Sequence, residues 1–347
     1  MEQHDIMSMT VSEIEETLET MGEKRFRAKQ IFEWIHQKGV LDYSKMTNLS
    51  AELRQKLLSQ TLLTAPKIVE KHTSKVDQTT KYLFSLQDSN IIESVLMRHK
   101  YGNTVCVSSQ VGCHMGCTFC ASTIDGLVRN LTPGEMLAQA YLIQEDTGER
   151  VSAIVVMGSG EPLEHLDVTL RFIALINDPK GQNIGQRHIT VSTCGLVPQI
   201  YELADQKLQI TLAISLHASN DKMRKETMPI AKKYSIGDIM EACEYYIKKT
   251  NRRITFEYAL IEGVNDQKDD AYELAKRLKG LLCHVNLIPV NPITESKYKH
   301  SQAKSVHEFG KILSDKGIQT TVRRTLGNDI NAACGQLRRS FMDNRGD

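Results

Sequence analysis

Hydrophobic positions change rhythm three times along this chain. From residue 1 to about 75 they recur at helical spacing. Thr10 or Ser12 can cap one helix, with Ile14, Leu18 and Met21 inward and Gly22 ending it. Phe26, Ile31, Phe32, Trp34 and Ile35 form a second apolar stripe, and Leu49, Leu53, Leu57 and Leu58 a third. The reading is a small module of short helices without strands. From about 79 the period becomes two. KYLFSL, a turn at Gln87-Asp88-Ser89-Asn90, and IIESVLM predict a hairpin, followed by a strand, NTVCVSS. Beyond that, apolar strands alternate with amphipathic helices: 153–157, 188–192, 210–215, 254–260, 284–289 and 320–323. Near-continuously apolar strands in repeated βα units argue for a parallel sheet covered by helices. Six or seven units suit a partial (β/α)6-type barrel better than a full eight, with a doubly wound sheet as the alternative. The chain therefore divides into a helical accessory domain (1–75), a β-hairpin linker (76–98) and an α/β core (99–347).

Composition narrows this reading. The 347 residues carry a formal charge of +1, so any nucleic-acid footprint must be local. Basic clusters occur at Lys24, Arg25, Arg27 and Lys29; at Lys297, Lys299 and His300; and at Arg323, Arg324, Arg338 and Arg339. Eight cysteines are too sparse for a disulfide scaffold and imply a reducing compartment. The first residues are acidic and lack an apolar stretch of signal-peptide type, and no apolar run approaches the ~20 residues of a membrane span. A cytoplasmic protein is expected.

The chemistry centres on VGCHMGCTFCAST. Cys113, Cys117 and Cys120 are spaced Cys-x3-Cys-x2-Cys. A 4Fe–4S cluster usually takes four thiolates, so three leave one iron open to bind something else. A structural zinc site wants four closed ligands, and no second pair follows. Other polar residues fall at predicted carboxyl ends of strands, where parallel βα folds bind ligands. These are Gly160 and Glu161 in GSGEP, Ser192, Ser215 and His217, and Asn291. Singly, each has an ordinary reading as a turn, a helix cap or a core hydrogen bond. Together, after an open-iron cluster, they point to one ligand site. Cys334 lies in a loop, a poor place for a core thiol, whereas Cys194, Cys243 and Cys283 read as small buried apolar residues.

These motifs resemble the radical S-adenosylmethionine enzymes, most closely the RNA adenine methyltransferases of the RlmN group. The matching stretches are VCVSSQVGCHMGCTFCAST, RNLTPGE, MGSGEPL, TLAISLHA, MPI, TFEYALIEGVND, VNLIPVNP and NDINAACGQL, from about residue 91 onward. RFRAKQIFEWIHQKG is similar to the family's helical accessory module.

The resemblance implies a radical barrel whose cluster sits on Cys113, Cys117 and Cys120, with S-adenosylmethionine held by Gly160, Glu161, Ser192, Ser215, Leu216, His217 and Asn291. It implies two S-adenosylmethionine molecules per turnover. Cys334 takes a methyl group from the first. A 5′-deoxyadenosyl radical from the second activates that methyl group for addition to the electron-poor carbon 2 of adenine. Cys106 then resolves the enzyme–RNA adduct, leaving a disulfide with Cys334, and Glu93 matches the proton acceptor. The implied substrates are 23S ribosomal RNA and tRNA anticodon loops. A flavodoxin or ferredoxin is the implied electron donor and a monomer the implied state. Two other readings stay open: a Cfr-type carbon-8 methyltransferase and a non-catalytic cluster-bearing RNA-binding protein. Three positions depart from the family pattern: Ser159 where Met is common, Leu326 where Arg often precedes the glycine, and Asn331 where Asp is usual.

Oxygen-free reconstitution with iron and sulfide is expected to give iron–sulfur absorbance that vanishes when Cys113, Cys117 and Cys120 are all changed to Ala. Absorbance that survives in the triple variant refutes the cluster assignment.

Overall fold

The computed structural model describes residues 4–291, 293 and 296–337. At the N-terminal end, strand β1 (His4–Asp5) precedes helices α1 (Val11–Thr20), α2 (Arg27–Phe32) and α3 (Ala51–Gln60). Thr10 rather than Ser12 caps α1, through a capping box with Glu13. Helix α2 runs on into a π-helical turn, Glu33–Gln37. Ile14, Leu18, Ile31, Phe32, Ile35, Leu53 and Leu57 are buried as the stripes require, whereas Phe26 and Leu58 are exposed.

The absence of strands expected in residues 1–75 is corrected twice. Strand β2 (Thr61–Leu62) pairs in parallel with β1, and β3 (Lys67–Thr73) is a full strand. Strand β3 lies at a sheet edge with nearly every side chain exposed, so KIVEKHT carries charge instead of an apolar alternation. The hairpin is also no linker. Its strands β4 (Thr80–Ser85) and β5 (Ile91–His99) join β3 and β6 (Gly102–Val107) in the main sheet.

Strand β6 leads into a small hairpin, β7 (Gln110–Gly112) and β8 (Leu127–Asn130). Six more strands follow: β9 (Val151–Val156), β10 (Ile189–Thr193), β11 (Thr211–Ser215), β12 (Ile254–Leu260), β13 (Cys283–Pro289) and β14 (Thr320–Val322). Among the described residues the main sheet has ten strands, in the order β14-β13-β12-β11-β10-β9-β6-β5-β4-β3. Strands β6 and β9 to β14 are parallel; β3 to β5 extend the sheet antiparallel. The parallel part never reverses direction across the sheet. A doubly wound sheet must reverse at its switch point, so that alternative falls and the partial barrel stands.

Helices α4 (Pro133–Thr147), α5 (Leu166–Asn177), α6 (Val197–Asp205), α7 (Asp221–Thr227), α8 (Ile236–Thr250), α9 (Lys268–Leu278) and α10 (Ala303–Asp315) lie in the connections. Ile154, Val156, Val191, Leu212, Ile214, Phe256, Tyr258, Val285 and Leu287 are buried on the sheet. Each such side chain stabilises the fold by about 1.5–3 kcal/mol relative to exposure. No described helix is long and apolar enough to cross a membrane.

The helical module packs on the barrel through a buried histidine. His36 Nδ1 lies 3.0 Å from the Tyr141 hydroxyl of α4, and burial pushes the His36 pKa down to about 3. The folded protein therefore binds fewer protons at this site than the unfolded chain between about pH 3 and 6.5. Stability contributed by neutral His36 is fully present above 6.5 and is lost as pH falls toward 3. His36→Phe is expected to flatten the acid limb of a stability–pH curve by up to about 1.4 kcal/mol per pH unit in that window. An unchanged slope in chemical denaturation would contradict this.

Candidate active site

The three cysteines sit in the loop between β7 and β8. Gly112 starts it with a φ of +74°, and any Cβ there would strike the Gly126 carbonyl. Cys113 N–H donates to Gly126 O at 3.0 Å, which closes the base of the loop. Inside it, Cys120 N–H donates to Cys117 O at 3.1 Å, and Thr123 Oγ1 donates to Cys120 O at 2.9 Å. Thr118 N–H donates to Thr227 O at 3.0 Å, pinning the loop to α7. Cys113 and Cys117 are buried and Cys120 half-buried. Burial pushes the Cys113 thiol up to about 12 and raises those of Cys117 and Cys120. Left to themselves these sulfurs stay protonated, and a metal must displace the protons. Among the described residues no three His, Cys, Asp or Glu side chains converge as a single-ion site. The three thiols line a common cavity wall.

That cavity opens at the carboxyl ends of the parallel strands. Gly160, Glu161, Ser192, Ser215, His217, Asn291 and Cys334 all line it, with the three cluster cysteines. Gly160 has a φ of +111°, and a Cβ there would lie 2.7 Å from Gln110. Glu161 is held by two backbone donors, Leu163 N–H at 3.0 Å and Cys194 N–H at 2.7 Å, while burial raises its pKa. Ser192 and Ser215 hydroxyls are 3.2 Å apart. His217 Nδ1 accepts from Ala259 N–H at 2.8 Å, and burial pushes its pKa down to about 3. A neutral ring with that acceptor carries its proton on Nε2, so His217 has a donor to offer. Leu216 is the exception. Its side chain is fully buried in the core and absent from the cavity wall.

Cys334 reaches the cavity on a C-terminal loop with several ties. Asn291 Nδ2 donates to Cys334 O at 3.1 Å, and Ala121 N–H donates to Gly335 O at 2.8 Å. Ser122 Oγ donates to Leu337 O at 2.9 Å and lies 3.0 Å from Ser159 Oγ. Cys106 faces the underside of this loop, buried with Val95, Met97, Ala332 and Leu337. Burial pushes its thiol up to about 12, and the Cys334 thiol is close enough to act on it. Both are free thiols here.

Glu93 shares this face of β5 two residues before Val95, is buried, and lies 3.4 Å from Lys81 Nζ. It is not on the cavity wall. Lys81 Nζ also reaches Asn331 O at 3.4 Å. The departures have local roles: Leu326 packs on this cluster, and Asn331 takes a left-handed φ of +51°, which asparagine tolerates.

Several wall residues escape a reading of the sequence. Cys194 lines the cavity rather than merely filling core. Arg323, grouped with surface basics, lines it too, 3.8 Å from Glu257. Glu257 is buried, and its Oε2 has no hydrogen-bond partner among the described residues. A lone acid inside the apolar strand ITFEYAL was the available signal. Arg338 and Arg339 lie outside the described residues.

A part-barrel that carries three thiols on the wall of a cavity at its strand ends fits a radical S-adenosylmethionine enzyme. A family model described as Radical SAM superfamily matches residues 107–275. One described as Ribosomal RNA large subunit methyltransferase N-terminal domain matches 4–63. The chain is 60% identical over 344 residues to a protein of Alkaliphilus oremlandii named "Probable dual-specificity RNA methyltransferase RlmN", covering 99% of this chain and 100% of the relative. A Clostridium novyi protein of the same name is 54% identical, covering 98% and 99%. A radical SAM methyltransferase from Sphaerobacter thermophilus superposes with a TM-score of 0.94 at 44% identity, covering 97% of this chain and 100% of that one. The chain belongs to the RlmN family of radical S-adenosylmethionine RNA methyltransferases.

Removing the Ser122 hydroxyl should loosen the Cys334 loop. Ser122→Ala and Ser159→Ala are each expected to raise the alkylation rate of Cys334 several-fold, and the double variant to add little further. Equal rates in all four proteins would sink the idea.

Proposed function

We propose that this enzyme methylates carbon 2 of an adenosine in 23S ribosomal RNA, and adenosine in tRNA anticodon loops, through a methylated Cys334. The carrying observation is that Cys334 stands on the same cavity wall as Cys113, Cys117 and Cys120, with Cys106 beneath its loop. A carrier thiol needs access to the methyl donor, and a resolving thiol needs access to the carrier. The shared name of the relatives supports carbon 2 over the Cfr-type product.

When bound, the cluster supplies the electron that splits S-adenosylmethionine into methionine and a 5′-deoxyadenosyl radical. Cys113, Cys117 and Cys120 hold it, and Gly160, Glu161, Ser192, Ser215, His217 and Asn291 place the sulfonium donor. Cys334 sulfur takes a methyl group from a first donor molecule, so each turnover consumes two. Hydrogen abstraction leaves a carbon radical on Cys334, which adds to the adenine ring. The adduct passes its ring proton to Glu93, held near Lys81, and its unpaired electron would return to the oxidised cluster held by Cys113, Cys117 and Cys120. Cys106 then attacks Cys334 sulfur, the carbon–sulfur bond breaks, and the released carbon takes a proton to become the methyl group. The two thiols are left as a disulfide for reduction. The buried Cys106 thiol and the loop over Glu93 require the Cys334 loop to lift during the cycle.

Folded RNA is gripped by the helical module of residues 1–75 and by basic residues near Cys334. Among the module's cations, Arg25 is engaged by Glu15 and Glu19, whereas Arg27 lies over the exposed Phe26 ring at 4.8 Å. The Phe26–Arg27 pair offers a stacking surface to a base. Reduction by a flavodoxin or ferredoxin, a monomeric state and a cytoplasmic setting complete the proposal.

Mass spectrometry of adenosines from reacted 23S RNA is expected to show 2-methyladenosine; 8-methyladenosine instead would overturn the assignment. Cys334→Ala should abolish methylation, and Cys106→Ala should trap a covalent protein–RNA adduct. Normal turnover in either variant removes that residue from the mechanism.

A further inference from the structure

Arg224 is a buried cation near the cysteine loop. It belongs to α7, whose end carries Thr118 through Thr227 O, so its helix abuts the cluster loop. Its side chain is fully buried. Nε donates to Leu216 O at 3.2 Å, and Nη2 to Cys194 O at 2.6 Å and Ser215 O at 3.4 Å. Nη1 has no hydrogen-bond partner among the described residues. Three carbonyls solvate the guanidinium but contribute no negative charge. An uncompensated buried cation costs several kcal/mol, and arginine does not escape by losing its proton.

The titratable groups coupled to Arg224 are Cys194, Cys117, Asp221 and His217, the last buried and neutral. Asp221 is turned to α8, where Oδ1 accepts Ile236 N–H at 2.7 Å. Cys194 and Cys117 are buried thiols whose pKa values burial raises, so as free thiols they offer no anion. Cys117 becomes one when it binds iron. A cubane core of charge +2 with three thiolates carries −1 overall, and −2 after gaining one electron from a low-potential donor.

We infer that Arg224, on the helix that pins the cysteine loop, is the buried positive partner of the cluster and favours its one-electron reduced form. It is a positioning and tuning residue, acting through the cluster rather than on S-adenosylmethionine. Net charge and hydrogen bonds near the sulfurs are established determinants of cluster potential. The inference rests on Cys113, Cys117 and Cys120 holding the cluster.

The test is a redox titration of the anaerobically loaded full-length protein, followed by electron paramagnetic resonance, comparing wild type, Arg224→Gln and Arg224→Lys at matched iron content. Gln keeps one amide donor for the carbonyls but removes the charge; Lys keeps the charge. Arg224→Gln is expected to make reduction at least tenfold less favourable, about 59 mV more negative for one electron. Arg224→Lys is expected to shift it less than threefold. Equal potentials in wild type and Gln variant, or equal shifts in both variants, would overturn the inference. So would loss of fold in both apoproteins by circular dichroism, which makes Arg224 a strut. Failure of the cluster reading itself would appear separately, as iron binding that persists without the three cysteines.

Discussion

Placement of Cys113, Cys117 and Cys120 along one cavity wall is the constraint around which this site is arranged. Out of water, a thiol keeps its proton and makes poor hydrogen bonds, so three together contribute little to folding for the order they require. The loop that holds them is nonetheless heavily specified. Gly112 sits where only glycine fits, a backbone bond closes the loop base, and α7 pins its middle. Such specification has a physical purpose once iron replaces the protons, because three thiolates then need fixed positions and a compensating charge.

The parallel sheet supplies the rest by geometry. Strands β6 and β9 to β14 run one way and in order, so each delivers its carboxyl end to the same rim. Gly160 and Glu161 follow β9, Ser192 lies near the end of β10, Ser215 and His217 close β11, and Asn291 follows β13. Asn291 is shared between two tasks, since it lines the cavity and holds Cys334 O. The cavity wall and the Cys334 loop are thereby mechanically linked, and the Ser122–Ser159 contact likewise joins the cysteine loop to the turn after β9.

Much of this was legible in the sequence because it is local. Strands β9 to β14 are apolar runs with clear ends, the cysteine spacing is contiguous, and the strand-end residues follow from both. What was missed depends on distant neighbours. Strand β3 has an exposed edge and no alternation to read, and the hairpin β4–β5 looks the same whether it links domains or extends a sheet. Leu216 lies between two cavity residues, but with its side chain in the core. Glu257, Arg323 and Arg224 gain their meaning from burial beside groups far away in the chain. Ser159, where the family commonly has Met, acquires a partner in Ser122 that sequence pattern alone does not reveal.

An open-iron cluster and a pair of working thiols act together only if the vacant iron accepts the sulfonium donor. Electron–nuclear double resonance on the reduced protein, with S-adenosylmethionine labelled at its amino nitrogen and carboxylate oxygen, measures that contact. Hyperfine coupling from both labels is the predicted result. A complete cluster that shows coupling to neither, with the donor bound, would contradict it.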